Sequence, residues 1–274
     1  MRDKPRRKGR PKSFYEKPAS TTIQSLERAF DVLDVLAANM GMTLTEIATD
    51  LQQSPATMHR VLSTLEARNI VEMDTQTQTW HIGSMAFRLG SAFLRRSGVI
   101  ERSHPVMREL TEQTGETSNL GIEMNGKVMF ISQIETHETI RAFFPPGTIS
   151  PMHASGIGKA LLSQFSDQRI ADFLRSHALE GFTDKTVSSA ADLQEDLLYS
   201  RQRGWAYDDE EKTIGMRCVA APILNLFGEA VAGISVSGPT LRMSEDKIDQ
   251  IGAMVRDAAE RVSRSMGAPD LRAV

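Results

Sequence analysis

The chain has 274 residues, 40% of them hydrophobic and 24% charged, with a formal net charge of −3, an ordinary balance for globular domains and enough length for two of them. No apolar run approaches the roughly 18–20 residues that a bilayer span needs, which excludes a membrane protein of the helical kind. The single cysteine, Cys218, excludes an internal disulfide framework and fits a reducing cytoplasm. With only six scattered histidines beside it, no structural zinc site is expected.

The charge is unevenly spread. Residues 1–17 carry eight Lys/Arg against Asp3 and Glu16, a basic arm on an acidic body, suited to seeking phosphate. No apolar segment follows it, so it does not read as a secretory signal. Residues 1–20, punctuated by Pro5, Pro11 and Pro18, read as a disordered arm. Within it Arg7-Lys8-Gly9-Arg10-Pro11-Lys12 is similar to an AT-hook, in which Arg7 and Arg10 would enter a narrow, A·T-rich minor groove. The other reading is a solvated tail that meets phosphates without sequence preference.

Residues 21–83 read as a winged helix-turn-helix. The periodic positions Leu26, Ala29, Phe30, Leu33, Leu36 and Ala37 predict a first helix with that face inward, ending at Asn39-Met40-Gly41. Thr43-Leu44-Thr45-Glu46 has the form of a capping box and starts a second helix. Ser54-Pro55 is an N-cap followed by proline at the first helical position, and Met58, Val61, Leu62 and Leu65 give the third helix its buried side. Residues 70–73 and 79–82 bracket a polar turn and predict the hairpin, or wing. The third helix would enter the major groove of double-stranded DNA. Its cap Ser54 and outward residues Ala56, Thr57, His59, Arg60 and Ser63 are the candidate contacts, Arg60 first because arginine reads guanine bidentately. The domain holds only Arg28, Arg60 and Arg68 as strong bases against eight acids. The charge that holds DNA must therefore come from the arm, Arg60, helix N-termini and dimerisation; the alternative is a protein-interaction winged helix.

Residues 84–99, with Met85, Leu89, Ala92 and Phe93 on one side, predict a linker helix able to pack against its copy. Residues 100–270 then read as a mixed α/β domain. Helices are expected at 103–114, 155–165, 167–176, 190–203 and 244–266. Strands are expected at 117–124, 127–134, 140–144, 217–224 and 229–237, with Asn125-Gly126 as the hairpin turn of the first two.

Ser155-Gly156-Ile157-Gly158 opens one of those helices and can present backbone N–H groups to a carboxylate. Ser235 and Ser237, two apart on a strand, face the same way and can reach one ligand. Phe143, Phe144 and Met152 either wall such a pocket or belong to the core. His153 reads as a structural hydrogen-bonder. Asp208–Glu211 reads as a half-solvated loop with only Asp208 directed inward. Cys218 is either a small buried apolar side chain or a thiol that adds to an aldehyde carbon. Together with His153 and Asp208 it contains the parts of a nucleophilic hydrolase for small acids or amides, although nothing in the spacing assembles them. No Gly-rich phosphate loop is present, and no cofactor is expected.

Over 22–266 the sequence resembles the IclR family of transcriptional regulators. The matching stretches are 25–33, Leu44-Thr45-Glu46-Ile47-Ala48, Met152-His153-Ala154-Ser155-Gly156-Ile157-Gly158-Lys159-Ala160, 204–211, 215–222 and 234–239. The resemblance implies an α+β chain: a winged helix-turn-helix joined by the linker helix to a GAF-like effector domain, assembling as a dimer or tetramer on palindromic operators. It implies a cytoplasmic, nucleoid-associated protein that represses or activates transcription. By the same resemblance Gly156 and Ile157 supply amides, and Asp208, Cys218, Ser235 and Ser237 hold the effector, a small organic acid. Glyoxylate is the first expectation and pyruvate the second. Asp208 beside an anion suits a hydroxyl donor such as a hydrated aldehyde, or is itself protonated.

Overall fold

A computed structural model describes residues 22–268; the arm, with Arg7 and Arg10, lies outside the described residues. The chain forms two compact units that divide between Phe93 and Leu94, inside the helix assigned as the linker. Among the described residues no helix is long and apolar enough to cross a membrane.

The first unit contains α1 (Gln24–Ala38), β1 (Met42–Thr43), α2 (Leu44–Asp50), α3 (Pro55–Glu66), β2 (Val71–Asp74), β3 (Thr79–Ile82) and the start of α4 (Ser84–Ser97). The capping box forms: Glu46 donates its N–H to Thr43 Oγ1 at 3.3 Å, and its carboxylate accepts from the Thr43 N–H at 2.7 Å. Ser54 caps α3, accepting from the Thr57 N–H at 3.2 Å. The hairpin pairs Val71 with Ile82 through Asp74 with Thr79. A short strand that the sequence reading missed, β1, adds to it at Met42–Trp80. Val32, Leu36, Ile47, Met58, Leu62 and Trp80 make the core.

The inward face assigned to α1 needs correction. Leu26 and Phe30 are 54% and 63% exposed, and the fully buried positions are Val32 and Leu36. A helix of fifteen residues rises about 22 Å, and only its second half is sealed by the core. Leu89 on α4 is likewise exposed.

The second unit contains α5 (Val99–Thr114), β4 (Thr117–Met124), β5 (Lys127–Ile134), β6 (Ile149–Pro151), α6 (Gly156–Leu162), α7 (Asp167–Ser176), α8 (Ala190–Arg203), β7 (Ala206–Asp209), β8 (Met216–Leu224), β9 (Ala230–Pro239) and α9 (Glu245–Ser265). The sheet runs β6-β5-β4-β9-β8-β7, antiparallel throughout. Asn125 and Gly126 both take positive φ, as the two-residue turn between β4 and β5 requires.

Alternation along the strands sorts residues between two cores. Val219, Ala221, Ile223, Ile234 and Val236 pack with α5 and α9. Ala206 and Ala220 pack with α6, α7 and α8. Every second neighbour of Ala206 and Ala220, namely Asp208 and Cys218, therefore faces α6, as do Ser235, Ser237 and Asn119 on the adjoining strands.

Two expectations fail. Residues 140–144 form no strand; the third pairing strand is β6, beyond Pro145-Pro146-Gly147, because two prolines lack the N–H groups a ladder needs. The 208–211 run is not a half-solvated loop: Asp208 and Asp209 end β7, and Glu211 is 4% exposed.

Candidate functional site

One cavity of the second unit lies where the start of α6 meets β7, β8 and β9. Ser155 caps α6, its Oγ accepting from the Gly158 N–H at 3.4 Å. Two glycines let that turn sit down on its surroundings. A Cβ at Gly158 would lie 2.2 Å from the Met152 carbonyl oxygen, and one at Gly156 would lie 2.7 Å from Cys218 Sγ. Ile157 turns its side chain into the sheet, against Gly121 and Gly233.

The resulting cavity measures about 30 Å³ and is lined by Ser155, Gly156, Asp208, Cys218, Ser237 and Lys212, with Phe130 and Phe144 among its walls. The space is small and suits a ligand of few heavy atoms. Of the expected effector residues, Ile157 and Ser235 do not line it. Ile157 is floor beneath the helix. Ser235 is fully buried one pair deeper, where Asn119 Nδ2 donates to Ser235 Oγ at 3.4 Å and to Ser237 Oγ at 3.2 Å. Gln133 Nε2 donates to Asn119 Oδ1 at 2.8 Å, so the Ser237 hydroxyl is held from behind.

Of the three proposed apolar walls only Phe144 lines the cavity, stacked on Phe130 at 4.8 Å between centroids. Phe143 is exposed and Met152 is core. His153 pairs its Nε2 with the Glu180 carbonyl at 2.9 Å, the structural role expected of it.

The electrostatics centre on Lys159 of α6. It is 1% exposed and ion-paired to Glu211 and, at 2.7 Å, to Asp196. Burial opposes its charge, but those carboxylates outweigh it and hold the ammonium protonated. Asp208 accepts from the Glu211 N–H at 2.9 Å. It lines the cavity, and burial pushes its carboxyl up to about 6 against the pull of Lys159. Burial and the Asp208 charge lift Glu211 to about 7. Burial, then Asp208, pushes the Cys218 thiol up to about 11. That thiol is protonated at neutral pH, the opposite of an activated nucleophile.

The sequence reading missed Lys212, Asn119 and Gln133. Lys212 donates to Ser150 Oγ at 2.9 Å, burial lowers its pKa, and among the described residues no carboxylate is ion-paired with it. The signal was a single lysine closing the acidic run 208–211. Arg217 also lines the cavity, but its guanidinium is committed to Asp209 at 2.7 Å and Glu245 at 3.2 Å.

In the first unit, α3 buries Met58 and Leu62 and leaves Ser54, Ala56, His59 and Arg60 exposed and Thr57 and Ser63 half-buried. Ser54 and Thr57 are partly engaged with each other, their hydroxyls 2.8 Å apart. These six positions form a continuous outward surface at the start and middle of the helix. Among the described residues no cluster of His, Cys, Asp or Glu could hold a metal ion.

Residues 25–75 match the family described as IclR helix-turn-helix domain, and residues 91–264 match that described as Bacterial transcriptional regulator IclR C-terminal. The chain is 57% identical over 244 residues to the HTH-type transcriptional regulator BhcR of Paracoccus denitrificans, spanning 89% of this chain and 88% of the relative. It is 36% identical over 266 residues to the transcriptional repressor IclR of Escherichia coli, spanning 96% and 97%. The crystal structure of Thermotoga maritima IclR has the same fold, with a TM-score of 0.76 at 27% identity over 89% of this chain and 99% of that one.

Proposed function

The chain belongs to the IclR family of bacterial transcriptional regulators, and from that premise we propose that a small 2-oxo acid, glyoxylate first and pyruvate second, sets its affinity for a palindromic operator. Its relatives are regulators and not enzymes, in keeping with the protonated Cys218. The observation that carries the reading is the convergence, in one narrow cavity, of the Lys212 ammonium, the Ser237 hydroxyl, the Cys218 thiol and Asp208. Lys212 pairs with the carboxylate of the acid. Asp208 accepts from a hydroxyl of the hydrated aldehyde or, when protonated, donates to the carbonyl.

Calorimetry tests this directly. Lys212→Met should weaken glyoxylate binding about tenfold or more, because a charge-assisted contact is lost from a half-buried site. An unchanged affinity would remove Lys212 from the site. A second anion beside Asp208 also raises its carboxyl above its free value near 6, so binding takes up protons. Affinity should be highest below about pH 6 and fall as pH rises through the bound-state value. Asp208→Asn should flatten that dependence, and proton release on binding would contradict the assignment.

DNA is read by α3, with a dimer or tetramer presenting two copies to the two half-sites. The exposed Phe30 on α1 and Phe87 on α4 support self-association. Arg60→Ala should cost about 1–3 kcal/mol and relax operator preference if Arg60 reads a base. Equal losses on every duplex, measured by fluorescence anisotropy, would make it a phosphate contact. Because effector and operator are coupled through the same protein, DNA must change glyoxylate affinity by the factor by which glyoxylate changes DNA affinity.

A further inference from the structure

The winged-helix stretch 21–83 is acidic, yet its strong bases are not scattered. Arg28 on α1, Arg60 on α3 and Arg68 just beyond α3 line one groove of about 740 Å³ between those helices, and none of the eight acids lines it. Thr57, Arg60, Val61, Thr64, Leu65 and Arg68 fall at helical spacing along a single stripe, so the sequence places a row of donors beside an apolar floor of Val61 and Leu65. Among the described residues none of the three guanidiniums is in an ion pair. An acidic stretch that gathers its three arginines, none of them ion-paired among the described residues, into one open groove has built a local attraction for an anion that its net charge conceals.

We infer that this groove carries the sugar-phosphate backbone of the operator, with Arg28 and Arg68 as phosphate contacts flanking the bases read from α3. The inference rests on α3 being the helix that enters the major groove. Thr57 and Arg60 belong both to the outward face of α3 and to the groove, so a strand running past that face meets the groove next. Arginine forks suit phosphate oxygens, threonine hydroxyls add donors, and the apolar floor accepts the C–H faces of deoxyribose. The groove also answers how an acidic winged helix holds DNA: contacts to phosphate do not need a basic domain, only a basic strip placed where the backbone passes.

The test uses the full-length protein and fluorescence anisotropy on two duplexes, one from upstream of its own gene and one of scrambled sequence. Salt is varied between about 50 and 200 mM. Arg28→Gln and Arg68→Gln should each weaken both duplexes by a similar factor, about tenfold, and each lower the slope of log affinity against log salt by about one. Arg28→Lys and Arg68→Lys, which keep the charge, should restore the slope. Glutamine variants that melt like the parent and keep its salt slope would overturn the proposal. A glutamine variant whose slope is kept while its oligomer falls apart on gel filtration would overturn it too, and would give the groove to a second copy of the chain. If the parent protein shows no selective DNA binding, the α3 reading falls and takes this one with it; if the parent binds selectively and the glutamine variants bind both duplexes as it does, the groove assignment alone is lost.

Discussion

Replacing Lys159 with methionine should destabilise the second unit by about 3–5 kcal/mol at neutral pH, the scale of leaving buried charge without its partner. Lys159 is fully enclosed, and its ammonium is the ion-pair partner of Glu211 and Asp196 and lies in the field of Asp208. Glu211 Oε2 already has no hydrogen-bond partner. Methionine fills a similar volume, so the loss is one of charge rather than packing. With the ammonium gone, Glu211 and Asp208 either remain ionised in a low-dielectric site or take up protons, and both routes draw on folding free energy.

The pH dependence gives that prediction a sign. Glu211 titrates at about 7 in the folded chain, against an ordinary value of 4.5. Because the folded state binds this proton more tightly, the group favours folding below about pH 4.5, and that advantage is lost as pH rises to about 7. The defect of Lys159→Met should therefore be largest near pH 8 and shrink towards pH 5, since protonation neutralises the stranded carboxylates. Urea titrations at about pH 8 and pH 5 measure it. A loss below about 1 kcal/mol at the higher pH would mean that water reaches the cluster and that the pair behaves as a surface one. Combining Lys159→Met with Glu211→Leu should recover much of the stability, as uncharged isosteres of buried pairs do.

The buried triad shows where sequence reasoning stops. Periodicity and caps gave two helices to the residue, Asp167–Ser176 and Ala190–Arg203, because a serine N-cap, an apolar stripe and a left-handed Gly204 are local signals; the helix expected at 103–114 starts four residues earlier, at Val99, and the one expected at 155–165 stops at Leu162. The partners of Lys159 are not local. Asp196 is on α8 and Glu211 follows β7, so the lysine reads as a solvated helix residue until the sheet brings them together. The same holds for Asn119, an ordinary strand residue whose role depends on Ser237, 118 residues away in sequence but on the neighbouring strand of the sheet. Serines two apart announced a shared face, and that face was correct. The depth along the strand, which leaves Ser237 at the cavity and Ser235 beneath it, is set by where α6 lands, and no alternation pattern encodes that. Leu26 and Phe30 failed for a related reason: a stripe on α1 says which side is apolar, not how much of it other elements are long enough to cover.

Two glycines at the head of α6 separate folding from ligand binding. Replacing a helical glycine by alanine normally stabilises by up to about 1 kcal/mol. At Gly158 the sign should reverse, with a loss of about 3 kcal/mol or more. The new Cβ would lie 2.2 Å from the Met152 oxygen, 2.4 Å from its Cα and 2.6 Å from its carbonyl carbon. All three are backbone atoms of the segment that β6 feeds into α6, so no side-chain rotation relieves the contact and the helix start must lift off the sheet. At Gly156 the obstacle is the Cys218 side chain, at 2.7 Å. A thiol can swing aside, and the space it would swing into is the cavity of about 30 Å³. Gly156→Ala should therefore fold, with a melting temperature within a few degrees of the parent, and bind no glyoxylate by calorimetry. Gly158→Ala should lose both. A Gly156→Ala protein that binds glyoxylate as the parent does would place the effector elsewhere, and a Gly158→Ala protein as stable as the parent would mean that α6 can tilt away from Met152 without strain. The contrast follows from one physical difference: an added methyl group meets a backbone that cannot move at one position and a side chain that can at the other.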